Sequence, residues 1–279
     1  MMTHLDVSRI SILKKVLVIG FLTLGLAACA DSDTEEIQYV ERSVEEIYNS
    51  AYDYLESKDF RRASIEFDEV ERQHPYSQWA RRAMVMSAYS YYRQNKYSEA
   101  ILSARRFIAL HPGNKQAPYM YYLIAQSQYE QISDISRDQK NTELAKQALT
   151  DLIRRYPNTD YARDATLKLD LTVDHLASKE MAIGRYYLYQ NSYVAAINRF
   201  KNVVLQHQKT SHVEEALHRL TEAYLGLGLE EEAKASAAVL GYNYPSSEWY
   251  HDSYRMLVGR DFKPAETEAW YKRAWNQIF

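Results

Sequence analysis

From residue 43 onward, apolar and small residues recur at the three- and four-residue spacing of amphipathic helices, and the helices come in pairs. Ser43 and Glu46 form a capping box at the head of the first. The second helix of each pair is marked by an alanine four residues before an apolar or small residue and, in all but the fourth pair, twelve before a proline. The first unit reads Ala51, Tyr54, Phe60, Ala63, Phe67, Val70, Pro75, and the second Ala88, Tyr91, Tyr97, Ala100, Ala104, Phe107, Pro112. The third has Ala125, then Ala145, Leu149, Leu152 and Pro157. The fourth reads Gly184, Tyr187, Tyr193, Ala196, Phe200, Val203, and the fifth Tyr224, Ala233, Ala237, Leu240, Pro245.

Each unit predicts a helical hairpin. Small residues such as Ala51, Ala63, Ala88 and Ala100 let its two helices approach closely, and Tyr54, Phe67 and Tyr91 fill the groove to the next unit. No hairpin can bury its own apolar face, so the units must stack. The pattern resembles the tetratricopeptide repeat over almost all of the chain after residue 43. The resemblance implies an all-α solenoid of five helical hairpins with C-terminal capping helices.

The anchors Ala63, Ala100, Ala145, Ala196 and Ala233 lie 37, 45, 51 and 37 residues apart. The polar run Ser133–Asn141 is expected to loop out of the third hairpin. Residues 161–191 contain no Pro and one Gly, which predicts an unusually long first helix for the fourth. That helix would separate an N-terminal trio of repeats from a C-terminal pair. Glu248–Val258 and Pro264–Ile278 read as capping helices, with Pro264 in a first turn and Trp270 and Trp275 covering the end of the stack.

The N-terminus follows a different pattern. Arg9, Lys14 and Lys15 precede eleven mostly apolar residues, Val16 to Leu26, a length suited to a signal peptide and too short to span a bilayer. The run closes in Leu26-Ala27-Ala28-Cys29, which resembles a lipoprotein box whose cysteine receives diacylglycerol. Ala30 follows, so the Asp that commonly retains lipoproteins in the inner membrane is absent, and the periplasmic face of the outer membrane is the expected address. The domain scheme is therefore 1–28 signal peptide, 29–42 acylated flexible tether, 43–160 repeats one to three, 161–247 long helix and repeats four and five, and 248–279 capping helices.

Composition narrows the function. The net charge is −3, and Arg9, Lys14 and Lys15 lie in the signal peptide, so the mature chain is mildly acidic and a poor ligand for nucleic acid. The single cysteine, Cys29, rules out disulfides and a cysteine zinc set within one chain. Of the eight histidines, His74, His111 and His207 occupy one slot of the repeat, filled elsewhere by Tyr156 and Tyr244. Packing and the helix dipole account for such a slot. His212 and His218 fall on opposite sides of a helix, and Gly226-Leu227-Gly228 lacks the strand and third glycine of a phosphate loop. No catalytic constellation, metal or cofactor is expected.

The abundant residue is tyrosine, with 25 copies against 7 of phenylalanine. In the repeat family that the spacing resembles, the second, fifth, ninth and twelfth positions of each first helix line the concave face. Here they supply Tyr48, Tyr52 and Leu55, then Tyr89 and Tyr92, then Tyr119, Tyr122 and Tyr129. Repeats four and five supply Met181, Arg185, Leu188, His218, Glu222 and Leu225 instead. Tyr48, Tyr52, Tyr89, Tyr92, Tyr122 and Tyr129 are candidate ligands for an extended peptide. The alternative is that these rings pack between helices. Arg199 is the candidate partner-binding residue, because Glu66, Ser103, Ala148 and Ser236 fill its slot in the other repeats. Its alternative is an internal ion pair with a neighbouring acid, for instance one from repeat five.

The lipobox, the acidic tether, the interrupted third repeat and the segment Gly184-Arg185-Tyr186-Tyr187…Tyr193-Val194-Ala195-Ala196-Ile197-Asn198-Arg199-Phe200 together resemble the BamD (YfiO) family of the β-barrel assembly machinery. Ile65–Val70 with His74-Pro75-Tyr76-Ser77, and Tyr156–Tyr161, add to the likeness. The resemblance implies an outer-membrane scaffold whose C-terminal repeats meet the periplasmic domains of the barrel insertase BamA, alongside other assembly lipoproteins. Its N-terminal repeats would receive unfolded outer-membrane proteins. Two alternatives stay open: another envelope adaptor, for instance one coupled to peptidoglycan synthesis, and a repeat-bearing lytic hydrolase.

Overall fold

The computed structural model describes residues 41–258, so Cys29 and its lipobox, most of the tether, and the Pro264–Ile278 segment with Trp270 and Trp275 lie outside the described residues. Eleven helices follow one another: α1 (Val44–Glu56), α2 (Phe60–Gln73), α3 (Gln78–Arg93), α4 (Tyr97–Leu110), α5 (Ala117–Tyr129), α6 (Lys140–Arg155), α7 (Asp160–Tyr189), α8 (Tyr193–Gln206), α9 (His212–Gly226), α10 (Glu230–Asn243) and α11 (Glu248–Val258). Consecutive helices pack as hairpins. Each odd-numbered helix also packs on the next odd-numbered one, whereas even-numbered helices make no such contact among the described residues. A stack whose first helices approach more closely than its second helices curves toward the first. The fold is the all-α repeat solenoid expected from the spacing.

Local chemistry starts and stops the helices. Side-chain oxygens of Ser43, Asp59, Ser77 and Thr159 accept the amides of Glu46, Arg62, Ala80 and Ala162 at 3.0–3.2 Å, closing four helix N-termini. Inside the hairpins one turn recurs. Lys58, Asn95, Asn191 and Gly228 take positive φ of 61°, 59°, 55° and 75°. The next residue's amide then reaches back to the carbonyls of Tyr54, Tyr91, Tyr187 and Tyr224 at 2.8–3.0 Å, a Schellman closure. Between hairpins, His74, His111, Tyr156, His207 and Tyr244 cap the second helices, and their carbonyls accept the amides of Ser77, Asn114, Thr159, Thr210 and Ser247.

The small slots are filled as the pattern requires. Ala51, Ala63, Ala88, Ala100, Ala125, Ala145, Ala196 and Ala233 are fully buried, and Phe67 and Phe200 plug adjoining grooves. Repeat four needs glycine in that slot, because a Cβ on Gly184 would stand 2.5 Å from the Phe200 ring.

The two irregularities fall in repeats three and four. Helix α6 resumes at Lys140, so the expected loop gives up Lys140 and Asn141 to the helix. Asp138 accepts the Lys140 amide at 3.2 Å, which starts the helix early. Helix α7 runs 30 residues, against 13 to 16 for α1, α3, α5 and α9. Lys179 on α7 donates to the Ser136 carbonyl at 3.2 Å, tying the repeat-three loop to the long helix.

Candidate peptide-binding and partner-binding surfaces

Repeats two and three carry a tyrosine cluster centred on Tyr119. Burial pushes the Tyr119 phenol up, and the neighbouring phenols Tyr89, Tyr161, Tyr122 and Tyr92 push it further. The Tyr161 ring lies 5.7 Å from Tyr119 and 5.1 Å from Tyr122. Helix α7 adds a polar clamp. Tyr122 donates to Asp164 Oδ2 at 2.9 Å, and Lys168 Nζ lies 3.3 Å from the Tyr122 hydroxyl. The same ammonium stands 5.4 Å from the Tyr122 ring centre and 5.9 Å from that of Tyr129. Burial works against the Asp164 carboxylate, yet hydrogen bonds from Lys168 and Tyr122 hold it below the usual carboxylate range.

The other sequence-designated rings differ in use. Tyr89 accepts from Arg93 Nη1 at 2.6 Å and sits edge-on to Phe60. Tyr92 donates to Glu130 Oε1 at 3.4 Å. Tyr52 is 44% exposed. Tyr48 is packed between helices, with its ring 5.6 Å from Phe67 and 4.7 Å from Trp79, and burial raises its pKa. Tyr89, Tyr92, Tyr122 and Tyr129 thus adjoin one cluster, Tyr52 stands apart as an exposed ring, and Tyr48 belongs to the first core.

Sequence reasoning missed Tyr161, Asp164 and Lys168. Tyr161 follows Pro157 by four residues, as Trp79 follows Pro75 and Trp249 follows Pro245, so its register was a usable signal. Asp164 and Lys168 had none, because they lie in the added length of α7.

The equivalent face of repeats four and five is built from charge. Arg185 Nη1 meets Glu215 at 2.9 Å, Arg219 bridges Glu215 and Glu222 at 3.4 and 2.8 Å, and the Arg219 guanidinium lies 5.5 Å from the Trp249 ring. Met181, Leu188 and His218 were expected on the concave surface and are buried instead. Met181 and Leu188 join the core around Phe200. His218 Nδ1 lies 2.9 Å from Ser253 Oγ, and its ring lies 5.0 Å from Trp249, so α11 covers it.

Arg199 points Nη1 at Glu180, 3.3 and 3.4 Å from its two carboxylate oxygens. The acid comes from the same hairpin rather than from repeat five. The guanidinium borders a groove of about 480 Å³ with Tyr187, Asn198, Asn202 and Leu205, and its side chain remains 41% exposed.

Burial pushes the His207 imidazole down, which favours the neutral, packed ring at the end of α8. Among the described residues no three His, Cys, Asp or Glu side chains converge on a metal position. None of the described helices is long and apolar enough to cross a membrane.

Residues 40–240 match the family model of YfiO, an outer membrane lipoprotein. A relative from Caulobacter vibrioides, the outer membrane protein assembly factor BamD, is 52% identical over 86% of this chain and 79% of its own length. The protein of the same name from Rickettsia prowazekii is 43% identical, covering 88% of this chain and 96% of the relative. That of Neisseria meningitidis serogroup A is 34% identical, covering 84% and 93%. Superposition on the P58(IPK) TPR domain gives a TM-score of 0.40 at 10% identity, covering 84% of this chain and 65% of that one, too loose to carry an argument.

Proposed function

Because the chain belongs to the YfiO family of outer membrane lipoproteins, we propose that it is a non-catalytic scaffold of outer-membrane protein assembly, anchored through acylated Cys29 with its repeats in the periplasm. In this reading repeats one to three receive unfolded outer-membrane proteins. Repeats four and five hold the periplasmic domains of the barrel insertase, BamA, beside other assembly lipoproteins. The names of the relatives support the assembly role. The observation that carries the division of labour is the contrast between the Tyr119-centred cluster and the Arg185–Glu215–Arg219–Glu222 network on successive stretches of one face.

The physical basis is direct. Aromatic rings on rigid helices offer large contact area at small entropic cost, which suits segments of extended chain. Arg199 already meets Glu180 at 3.3 Å, so a partner carboxylate would find a guanidinium held on one side.

Two titrations test the reading. C-terminal peptides of outer-membrane proteins should bind Tyr52→Ala or Tyr89→Ala several-fold more weakly, a loss above about 1 kcal/mol for a true anchor. Insertase periplasmic domains should bind Arg199→Ala about tenfold more weakly, roughly 1.4 kcal/mol. Each variant should retain the affinity the other loses. Its melting temperature should move little, since an exposed ion pair such as Arg199–Glu180 contributes about 0–1 kcal/mol. Wild-type peptide affinity in both tyrosine variants, or a fall in melting with affinity per folded molecule unchanged, would assign the rings to packing alone.

A further inference from the structure

The added length of α7 creates a second surface. Beside its midpoint, the end of α8 and the α8–α9 turn enclose an open cleft of about 990 Å³. Three aliphatic side chains converge there: Leu167, Leu171 and Leu205 are 68%, 61% and 40% exposed. Single exposed leucines need no explanation, but three around one concavity leave an apolar patch in water. Its rims are charged in opposite senses. Asp170 stands on the α7 rim, between the two leucines in sequence, and Lys209 stands on the turn. Among the described residues neither makes an ion pair or a side-chain hydrogen bond. Asp174, one turn beyond Asp170, makes only long contacts to Ser211 and His212 at 3.5 Å.

The geometry points to this cleft as the docking site for a segment of another envelope protein, one that inserts neighbouring aliphatic side chains and sets a lysine or arginine against Asp170. Charge selects this occupant over the chain's own tether, which carries Asp31, Asp33, Glu35, Glu36 and Glu41 and would meet Asp170 and Asp174 with like charge. The cleft shares Leu205 with the groove at Arg199, but Leu167, Leu171 and Asp170 belong to the cleft alone and carry the inference. Its partner is defined by the chemistry of the cleft alone.

A photo-reactive amino acid placed at Leu167 or Leu171 of the full acylated chain, in its own bacterium, tests it. Both side chains are exposed, and Leu102 on α4, 70% exposed, serves as the control position. Irradiation should give an adduct from the α7 positions and not from Leu102. The linked peptide should hold aliphatic residues within one helical turn of a lysine or arginine. Asp170→Lys should cut adduct yield about tenfold while circular dichroism and melting stay at the level of the parent. Adducts with a second copy of the chain, or with a segment lacking the basic residue, would overturn the proposal. So would yields equal to the control, or yields indifferent to Asp170→Lys.

Discussion

At the ninth position of their first helices, repeats one and two carry Tyr52 and Tyr89, and repeats four and five carry Arg185 and Glu222. The backbone beneath is the same. Lys58 and Asn95 turn the first two hairpins, Asn191 and Gly228 the last two, all with φ between 55° and 75°. Phe67 and Phe200 fill the equivalent buried slot in repeats one and four. The solenoid therefore fixes where a side chain sits on the face and leaves its chemistry open. One half has used that freedom for phenols, of which Tyr122 is clamped by Asp164 and Lys168, and the other for an ion-pair network.

The largest expected effects ask whether the two halves are separable at all. Phe67→Ala and Phe200→Ala each leave a cavity at a fully buried site and should cost about 3–5 kcal/mol. In a repeat stack, stability is a sum of units and nearest-neighbour interfaces. Hydrogen exchange should accelerate in α1–α3 for the first variant and in α7–α9 for the second. Equal acceleration along the whole chain in either variant would make the halves one cooperative block, and α7 a rigid strut rather than a junction.

A smaller contrast should appear with pH. Burial lowers the pKa of His207 and His218 from the ordinary 6.5. Between 6.5 and the lowered values the unfolded chain binds a proton that the folded chain refuses. Stability then falls as pH drops through 6.5 and levels off below the folded pKa. Phenols behave inversely. Burial and the bond to Asp68 push Tyr91 up to about 12, and burial raises Tyr92, Tyr119 and Tyr122 as well. Above pH 10 the unfolded phenols lose protons that the folded ones keep, so stability falls as pH rises. Exchange mapped by helix should show α8–α11 loosening first in acid and α3–α5 in alkali. Tyr224, pushed up to about 12 by burial, will blunt the alkaline contrast. His218→Gln should flatten the acid response of α11 and leave α1–α4 untouched; an unchanged acid limb would assign it to other groups.

The elements of this fold were legible because each carries a local signal. Alanine and proline spacing places the hairpins, and the absence of Pro from 161–191 gives the long helix almost to its ends. Register also says which residues face the groove, but not whether a neighbour covers them. Met181 and His218 occupy the same slot as Tyr122, yet the Phe200 core and α11 close over them. The α7 clamp and the cleft at Leu167 and Leu171 lie in residues that belong to no repeat, so periodicity carries no information about them. That is where sequence reasoning ran out.

The smallest effect tests the part of the comparison that claims sameness. Positive φ costs an L-residue about 1–2 kcal/mol relative to glycine, less for asparagine, whose short polar side chain tolerates the region. Lys58→Gly in repeat one should therefore stabilise the chain by up to about 1 kcal/mol, and Asn191→Gly in repeat four by a few tenths. Gly228→Ala in repeat five should cost about 1 kcal/mol through backbone strain alone, because nothing lies within 4 Å of the added Cβ. Chemical denaturation resolves differences of this size when the slope of the transition stays constant. If the turns are one device used in both halves, these changes should follow residue type and ignore position. A Gly228→Ala penalty of several kcal/mol, or a loss on Lys58→Gly, would mean that the turn side chains make contacts peculiar to their repeat. The scaffold would then differ between the halves as much as the faces do.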